Sequence, residues 1–334
     1  MGALQLALKI DVDTLRGTRE GVPALLDVLK LAQADATFLF SLGPDHTGRA
    51  LRRVFRRGMF DFAAKVSRTS VLEHYGLRTL LYGTLLPGPD IGRRAADVMR
   101  SVRDAGYEVG VHCYDHTTWQ DYVSRRGEAW TRDQLLRAVH RFREVFGEPP
   151  QVHGAAGWQM NDSALELEQE LGFVYASDTR GLGPFVPLLP APASLPAAAS
   201  MPPRRSACPQ LPTTLPTLDE LIGVGDITVE NVHDELLART SQPCTGHVFT
   251  LHAELEGMKL LPVLRRLIRG WHAQGYQLVS MRTLYQQLDI ASLPGAPVVS
   301  GSVPGRSGLL AVQGAAAVHG AAVQGAAVQR AARI

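Results

Sequence analysis

Strand-type and helix-type hydrophobic patterns alternate along the chain from Leu4 to Ser280, and this order constrains the fold more than any other feature. Leu4, Leu6, Leu8, Ile10 and Val12 recur at every second position, the period of a strand whose large aliphatic side chains share one face. Asp11 and Asp13 fall on the other face at its end. Pro23 opens a helix with Leu25, Leu26, Val28, Leu29 and Ala32 as its apolar face, and the next strand, 37–42, stops at Gly43-Pro44. The same reading predicts helices over 91–104, 132–146, 163–171, 232–239 and 258–274, and strands over 108–112, 151–154, 173–177, 247–252 and 277–280. Such alternation implies an α/β fold with a parallel sheet, open or closed into a barrel, whose ligands gather at the carboxyl ends of the strands.

Two stretches depart from the pattern. Residues 186–216 contain prolines at 187, 190, 192, 196, 202, 203, 209, 212 and 216, which predicts an irregular excursion. After Asp289 the chain has no acidic residue and no Phe, Trp or Tyr, and it ends in repeated Gly-Ala-Ala-Val-Gln-like units. Such small side chains cannot offset their ordering entropy, so 291–334 is expected to be a low-complexity tail, disordered or a loosely attached helix, behind one domain spanning 1–290.

The 334 residues suffice for one large domain or two modest ones, and 45% hydrophobic with 20% charged residues excludes a wholly disordered or collagen-like chain. A formal net charge of +2 gives no global field for nucleic acid. The three cysteines, Cys113, Cys208 and Cys244, lack C-x-x-C pairing and fit a reducing compartment. The N-terminal MGALQLALKIDVD reads as a strand and not as a signal peptide, and no run approaches the roughly 20 apolar residues of a spanning helix. Any membrane contact is therefore expected to be peripheral.

The chemistry gathers at strand ends. Asp11 and Asp13 alone are better explained as a solvated or capping pair. His112 ends an apolar strand and His116 follows at the spacing that lets two imidazoles converge on one ion, although a lone His-x-x-x-His is usually accidental. His252 and Glu254 close the strand Val248–Leu251, where His252 taken alone reads more readily as a hydrogen-bonded core residue. Taken together, these groups fall on the one rim where an α/β sheet builds its active site. Two His and one carboxylate leave open positions on a divalent ion that acidifies water and polarises a carbonyl, which points to metal-assisted hydrolysis. Asp13, His112 and His116 are the expected ligands, Asp11 the base and His252 the acid. Zinc, cobalt, manganese and nickel all suit this donor set.

These motifs resemble the NodB-type polysaccharide deacetylases, a family of distorted (β/α)7 barrels. Asp11 and Asp13 are similar to its base and metal aspartates, here separated by Val12; His112 and His116 match its His-x-x-x-His, and Thr250-Leu251-His252 its acid motif. The strings IDVDTLRGTREGVP at 10–23, FSLGPD at 40–45, GVHCYDHTTWQ at 110–120, AAGWQ at 155–159, SDTRG at 177–181, LPTLDE at 215–220 and TLHAELEG at 250–257 carry the resemblance over about the first 285 residues. It extends to members that remove a formyl group from the 4-amino nitrogen of a polyprenyl-phosphate-linked arabinose, a step toward lipid A modification and polymyxin resistance at the cytoplasmic side of the bacterial inner membrane. An N-deacetylase acting on a polysaccharide is the alternative, and a non-catalytic glycolipid-binding barrel is disfavoured because every ligand type is present.

The resemblance also assigns lesser roles. The family's third motif carries an Arg that orients the base, absent from His153-Gly154-Ala155-Ala156-Gly157-Trp158, and Arg180 after Asp178 is the candidate replacement. Trp158, Asp178, Arg180 and Glu254 are expected around the sugar, and Arg16 and Arg19 at the phosphodiester. Arg49, Arg52, Arg53, Arg56 and Arg57 share one helical stripe just before Met59, Phe60 and Phe62, a pattern that fits either an anionic membrane surface or an ordinary solvated face.

Overall fold

The computed structural model describes residues 4–50, 78–190, 202–242, 244 and 246–316. Its strands are β1 (Leu4–Val12), β2 (Thr37–Ser41), β3 (Glu108–Cys113), β4 (Val152–His153), β5 (Tyr175–Ala176), β6 (Val186–Leu189), β7 (Arg204–Arg205), β8 (His247–His252), β9 (Tyr276–Val279), β10 (Gly295–Ala296), β11 (Val298–Gly301) and β12 (Leu310–Gln313). Seven of them form one parallel sheet in the order β5-β4-β3-β2-β1-β8, with β9 also on β1. Helices follow or separate these strands at Val22–Ala32, Ala96–Asp104, Glu128–Phe146, Asp162–Glu170, Val232–Arg239 and Leu261–Ala273. This is a distorted (β/α)7 barrel.

The period-2 pattern of β1 is buried on both faces. Leu6, Leu8, Ile10 and Val12 pack under the helices, whereas Ala7 faces the barrel interior with Leu39, Val152, Tyr175, Leu211 and Val248. β1 is long enough to serve three partners: β2 along Lys9–Val12, β9 along Leu4–Ala7 and β8 along Leu6–Asp11. Among the described residues β5 and β8 share no ladder, and residues 209–214 of the proline-rich excursion lie between them. Leu211 N donates to Ala176 O at 2.8 Å, Thr213 N to Thr179 O at 2.9 Å and Thr214 N to Val248 O at 3.1 Å. Prolines 209 and 212 suit such a seam, because a strand bonded only intermittently needs few amide donors.

Three expectations are corrected. The helix at 91–104 breaks at the fully buried Ala95. Its first turn is pinned to the end of β2 by Ile91 N on Gly43 O and Gly92 N on Leu42 O. The helix expected from 258 begins at Leu261, after a wide turn, Leu255–Lys259, kinked at Met258. The tail does not begin at 291: β10 pairs with β6, and β11 and β12 form a hairpin whose Ala311 O and Gln313 N bracket Arg180 at 3.0 and 2.8 Å. Backbone bonds and the Arg306 ion pairs do there what large apolar side chains do elsewhere. Residues 317–334 lie outside the described residues.

Of the arginine stripe only Arg49 is described, donating to Gly83 O; Arg52, Arg53, Arg56 and Arg57 lie outside the described residues. Among the described residues no helix is long and apolar enough to cross a membrane. Cys113 and Cys208 are buried free thiols.

Candidate active site

The carboxyl tips of β1 and β3 bring Asp13, His112 and His116 together, with one donor atom from each lying within 4.8 Å of the others. His112 Nε2 lies 3.2 Å from Asp13 Oδ1 and His116 Nε2 lies 3.4 Å from Asp13 Oδ2. The remaining His112 nitrogen, Nδ1, is 2.6 Å from Gly154 O, and a carbonyl only accepts. The proton is thereby fixed on Nδ1, and the Nε2 lone pair faces Asp13. His116 is placed by Asp115, which caps the helix His116–Tyr122 by accepting from Thr118 N and is held from behind by His46 Nδ1 at 2.6 Å.

Charge in this cluster is already arranged for a cation. Burial alone would raise the Asp13 carboxyl, but His116, His112 and His252 outweigh it and hold it well below the usual carboxylate range. Burial lowers His116, with His112 and His252 adding in the same direction against the pull of Asp13. Asp13 Oδ1 is buried without a hydrogen-bond partner, and so is Asp11 Oδ1. An ionised carboxylate, a lone pair fixed by tautomer and an unsatisfied oxygen form a donor set that fits a divalent metal ion.

Asp11 stands directly opposite His252 in the β1–β8 register, and Ala253 N donates to Asp11 O. Lys9 crosses the interior beside it, wholly buried, with Nζ 2.8 Å from Ser177 O and 3.5 Å from Asp11 Oδ2. Gly154 makes room for that stem, since a Cβ there would lie 2.3 Å from Leu39 Cδ1 and 3.2 Å from Lys9 Cε. His252 carries an unpartnered buried Nδ1, while its backbone N donates to Glu256 at 2.7 Å. Burial works to lower His252, but Asp13, Asp219, Glu256 and Asp11 together raise it.

Four residues expected around the sugar have partners within the protein. Glu254 is buried beneath the loop after β1, where Oε1 accepts from Asp13 N at 3.1 Å, Thr14 N at 2.8 Å and Thr14 Oγ1 at 2.8 Å. It fixes the backbone that leads out of β1 through Asp13. Burial and the charge of Asp13 push its carboxyl up to about 8. Asp178 is sealed in a second cluster with His153 and Glu168, away from solvent. Arg180 pairs with Glu220 and donates to Leu215 O, and among the described residues it is Lys9 that meets Asp11. Trp158 is 2% exposed, its indole N–H donating to Thr213 Oγ1 at 3.1 Å, so it offers no open stacking face. Arg16 and Arg19 remain at the rim, bonded to Glu20 and to Arg94 O.

Sequence reasoning missed Lys9, Asp115, Glu256 and Arg306. A lysine in a strand whose neighbours are aliphatic was the one available signal, because a charge there is tolerated only when it has a partner inside.

The profile of the polysaccharide deacetylase family matches residues 6–176. A Shewanella sediminis protein named as a probable 4-deoxy-4-formamido-L-arabinose-phosphoundecaprenol deformylase is 34% identical over 309 residues, covering 92% of this chain and 94% of its own. The protein of the same name from Wigglesworthia glossinidia brevipalpis is 27% identical over 298 residues, covering 89% and 98%. Among solved structures, a polysaccharide deacetylase from Mycobacterium smegmatis matches in fold with a TM-score of 0.56 at 17% identity, covering 90% of this chain and 96% of that one.

Proposed function

The chain belongs to the polysaccharide deacetylase family, and from that premise we propose that it hydrolyses the formamide of 4-deoxy-4-formamido-L-arabinose carried on phosphoundecaprenol. Formate and the 4-amino sugar lipid are the products, a step toward lipid A modification and polymyxin resistance. The observation that carries this reading is identity extending over nearly the full length of relatives named for that substrate, with the Asp13, His112 and His116 cluster in place.

Asp13, His112 and His116 would hold one divalent ion. When bound, that ion supplies a Lewis acid that polarises the formyl oxygen and acidifies a water. Asp11 acts as general base, taking a proton from the attacking water, and Lys9, with Nζ 3.5 Å from its Oδ2, holds the carboxylate in position. His252 acts as general acid, giving a proton to the departing 4-amino nitrogen from the adjacent strand. Its raised pKa suits that role, since an acid must be protonated when the C–N bond breaks. Arg16 and Arg19 would meet the phosphodiester, and the basic sequence stripe of Arg49, Arg52, Arg53, Arg56 and Arg57 would meet an anionic membrane face.

The test is formate release from the formylated sugar lipid, compared with acetate release from its N-acetyl analogue and from N-acetylated oligosaccharides. Formate release that disappears in Asp11→Asn and His252→Ala supports the assignment. Preference for acetylated polymer would replace it with the deacetylase reading. Charge reversal of the arginine stripe to Glu should end co-sedimentation with anionic liposomes, and unchanged binding would remove the membrane contact.

A further inference from the structure

The family match ends at residue 176, yet the β11–β12 hairpin far beyond it reaches the site. The loop between its strands delivers Arg306, whose guanidinium lies 4.9 Å from the centre of the Trp158 ring. The same group donates to Glu220 Oε1 at 2.8 Å, to Thr217 Oγ1 at 3.0 Å and to Asp219 Oδ1 at 3.1 Å, and it pairs with Asp219 Oδ2 at 3.0 Å. Lys9 and Arg180 also face Trp158, at 5.5 and 5.0 Å. Their side chains are 0% and 10% exposed against 21% for Arg306, so Arg306 is the outermost of the three.

Two groups that bear on His252 meet at this arginine. Trp158 stands edge-on to the His252 ring, with centroids 6.4 Å apart, and the carboxylate of Asp219 acts on it electrostatically. Trp158 is held at a φ of +51°, directly after Gly157 at +62°, a backbone that an L-residue adopts only when its surroundings enforce it. Gln159 Nε2 on Leu309 O and Leu182 N on Gln313 Oε1 fasten the hairpin to the two loops concerned.

We propose that Arg306 is a positioning residue for the hydrolysis: by bridging Trp158, Asp219 and Glu220 it fixes the wall against which His252 is held while it donates its proton. This rests on the proposed role of His252. A five-donor planar fork can span two carboxylates, a hydroxyl and a ring face at once, whereas an ammonium cannot. In Arg306→Ala, kcat for formate release should fall by about tenfold to a hundredfold, a misplacement loss, with KM changed less than about twofold. In Arg306→Lys the fall should be smaller than in Arg306→Ala but still measurable. Far-UV circular dichroism and metal content, read on the same samples, should match the wild type. Wild-type kcat in folded Arg306→Ala overturns the proposal, as does a loss confined to KM. Should Arg306→Ala not fold, wild-type kcat in Arg306→Lys overturns it instead. Failure of the wild type itself to release formate would count against the substrate reading and not against Arg306.

Discussion

Asp13, His112 and His116 at the strand tips, and His153, Glu168 and Asp178 behind β4 and β5, both gather histidine and carboxylate atoms within 4.8 Å. Their proton inventories differ. In the second cluster one nitrogen, His153 Nδ1, is shared by Glu168 at 2.7 Å and Asp178 at 3.1 Å, and Gln210 Nε2 adds a bond to Asp178 at 2.6 Å. Burial works against a charged His153, but Asp178 and Glu168 push it up to about 10. Asp178 is lowered against burial by that imidazolium, and burial raises Glu168. This set shares one proton at His153 Nδ1, while His153 Nε2 is buried without a hydrogen-bond partner among the described residues. The first set is arranged the other way, with lone pairs facing an ionised carboxylate and His116 still 22% exposed. Residue composition does not separate a metal centre from a strut; the direction of the donors and the path to solvent do.

The sealed cluster still serves the open one. Asp178 Oδ1 accepts from Ala155 N at 2.7 Å, fixing the loop whose Gly154 carbonyl orients His112.

The largest expected effect is on the open cluster. His112→Ala, or removal of metal by a chelator, should cut formate release by about a thousandfold or more, and added divalent metal should restore only the chelated wild type. Retained activity in metal-free protein would break the contrast at its root. Next comes Lys9→Met, which keeps the volume but removes the ammonium that pairs with the buried Asp11; a destabilisation of about 3–5 kcal/mol is expected, with a fall in kcat. Asp178→Asn should destabilise by a similar or smaller amount, about 3 kcal/mol by denaturant titration, while metal stoichiometry stays near one. Metal loss in that variant at full folding would show the strut to be a ligand site after all.

The pH dependence sharpens the contrast further. Because His153 titrates near 10 when folded and near its ordinary 6.5 when unfolded, its contribution is complete below 6.5 and declines as pH rises through 10. His153→Gln should flatten the stability profile across that interval, and an unaltered slope would contradict the charged imidazole. The smallest effect is expected at the rim: the exposed pair of Arg16 with Glu20 contributes about 1 kcal/mol at most. Arg16→Ala should therefore leave the unfolding midpoint nearly unchanged and raise KM for a phosphate-bearing substrate, whereas an equal KM would remove Arg16 from the phosphodiester.

The barrel was legible because each strand announces itself locally, and so were the tips, because Asp13, His112 and His116 sit at strand ends whose rim is common to all such sheets. Contacts made by chain folding back were not legible. Glu254 reads as a rim carboxylate until the backbone amides of Asp13 and Thr14 are seen to occupy it. Trp158 reads as a sugar platform until Arg306, 148 positions later in the numbering, is found upon it. The order of residues 291–316 was not legible because it resides in main-chain bonds such as those to Arg180, and composition carries no signal for those.

One consequence of the β1–β8 register concerns tolerance. With Asp11 and His252 as direct lateral neighbours, their interval is a ladder rung of about 4.8 Å and owes little to side-chain reach. Loops around the mouth can then be lengthened, shortened or exchanged to suit new acyl groups without disturbing that interval. A single inserted or deleted residue within either strand turns one partner to the opposite face, and no loop redesign can retrieve it.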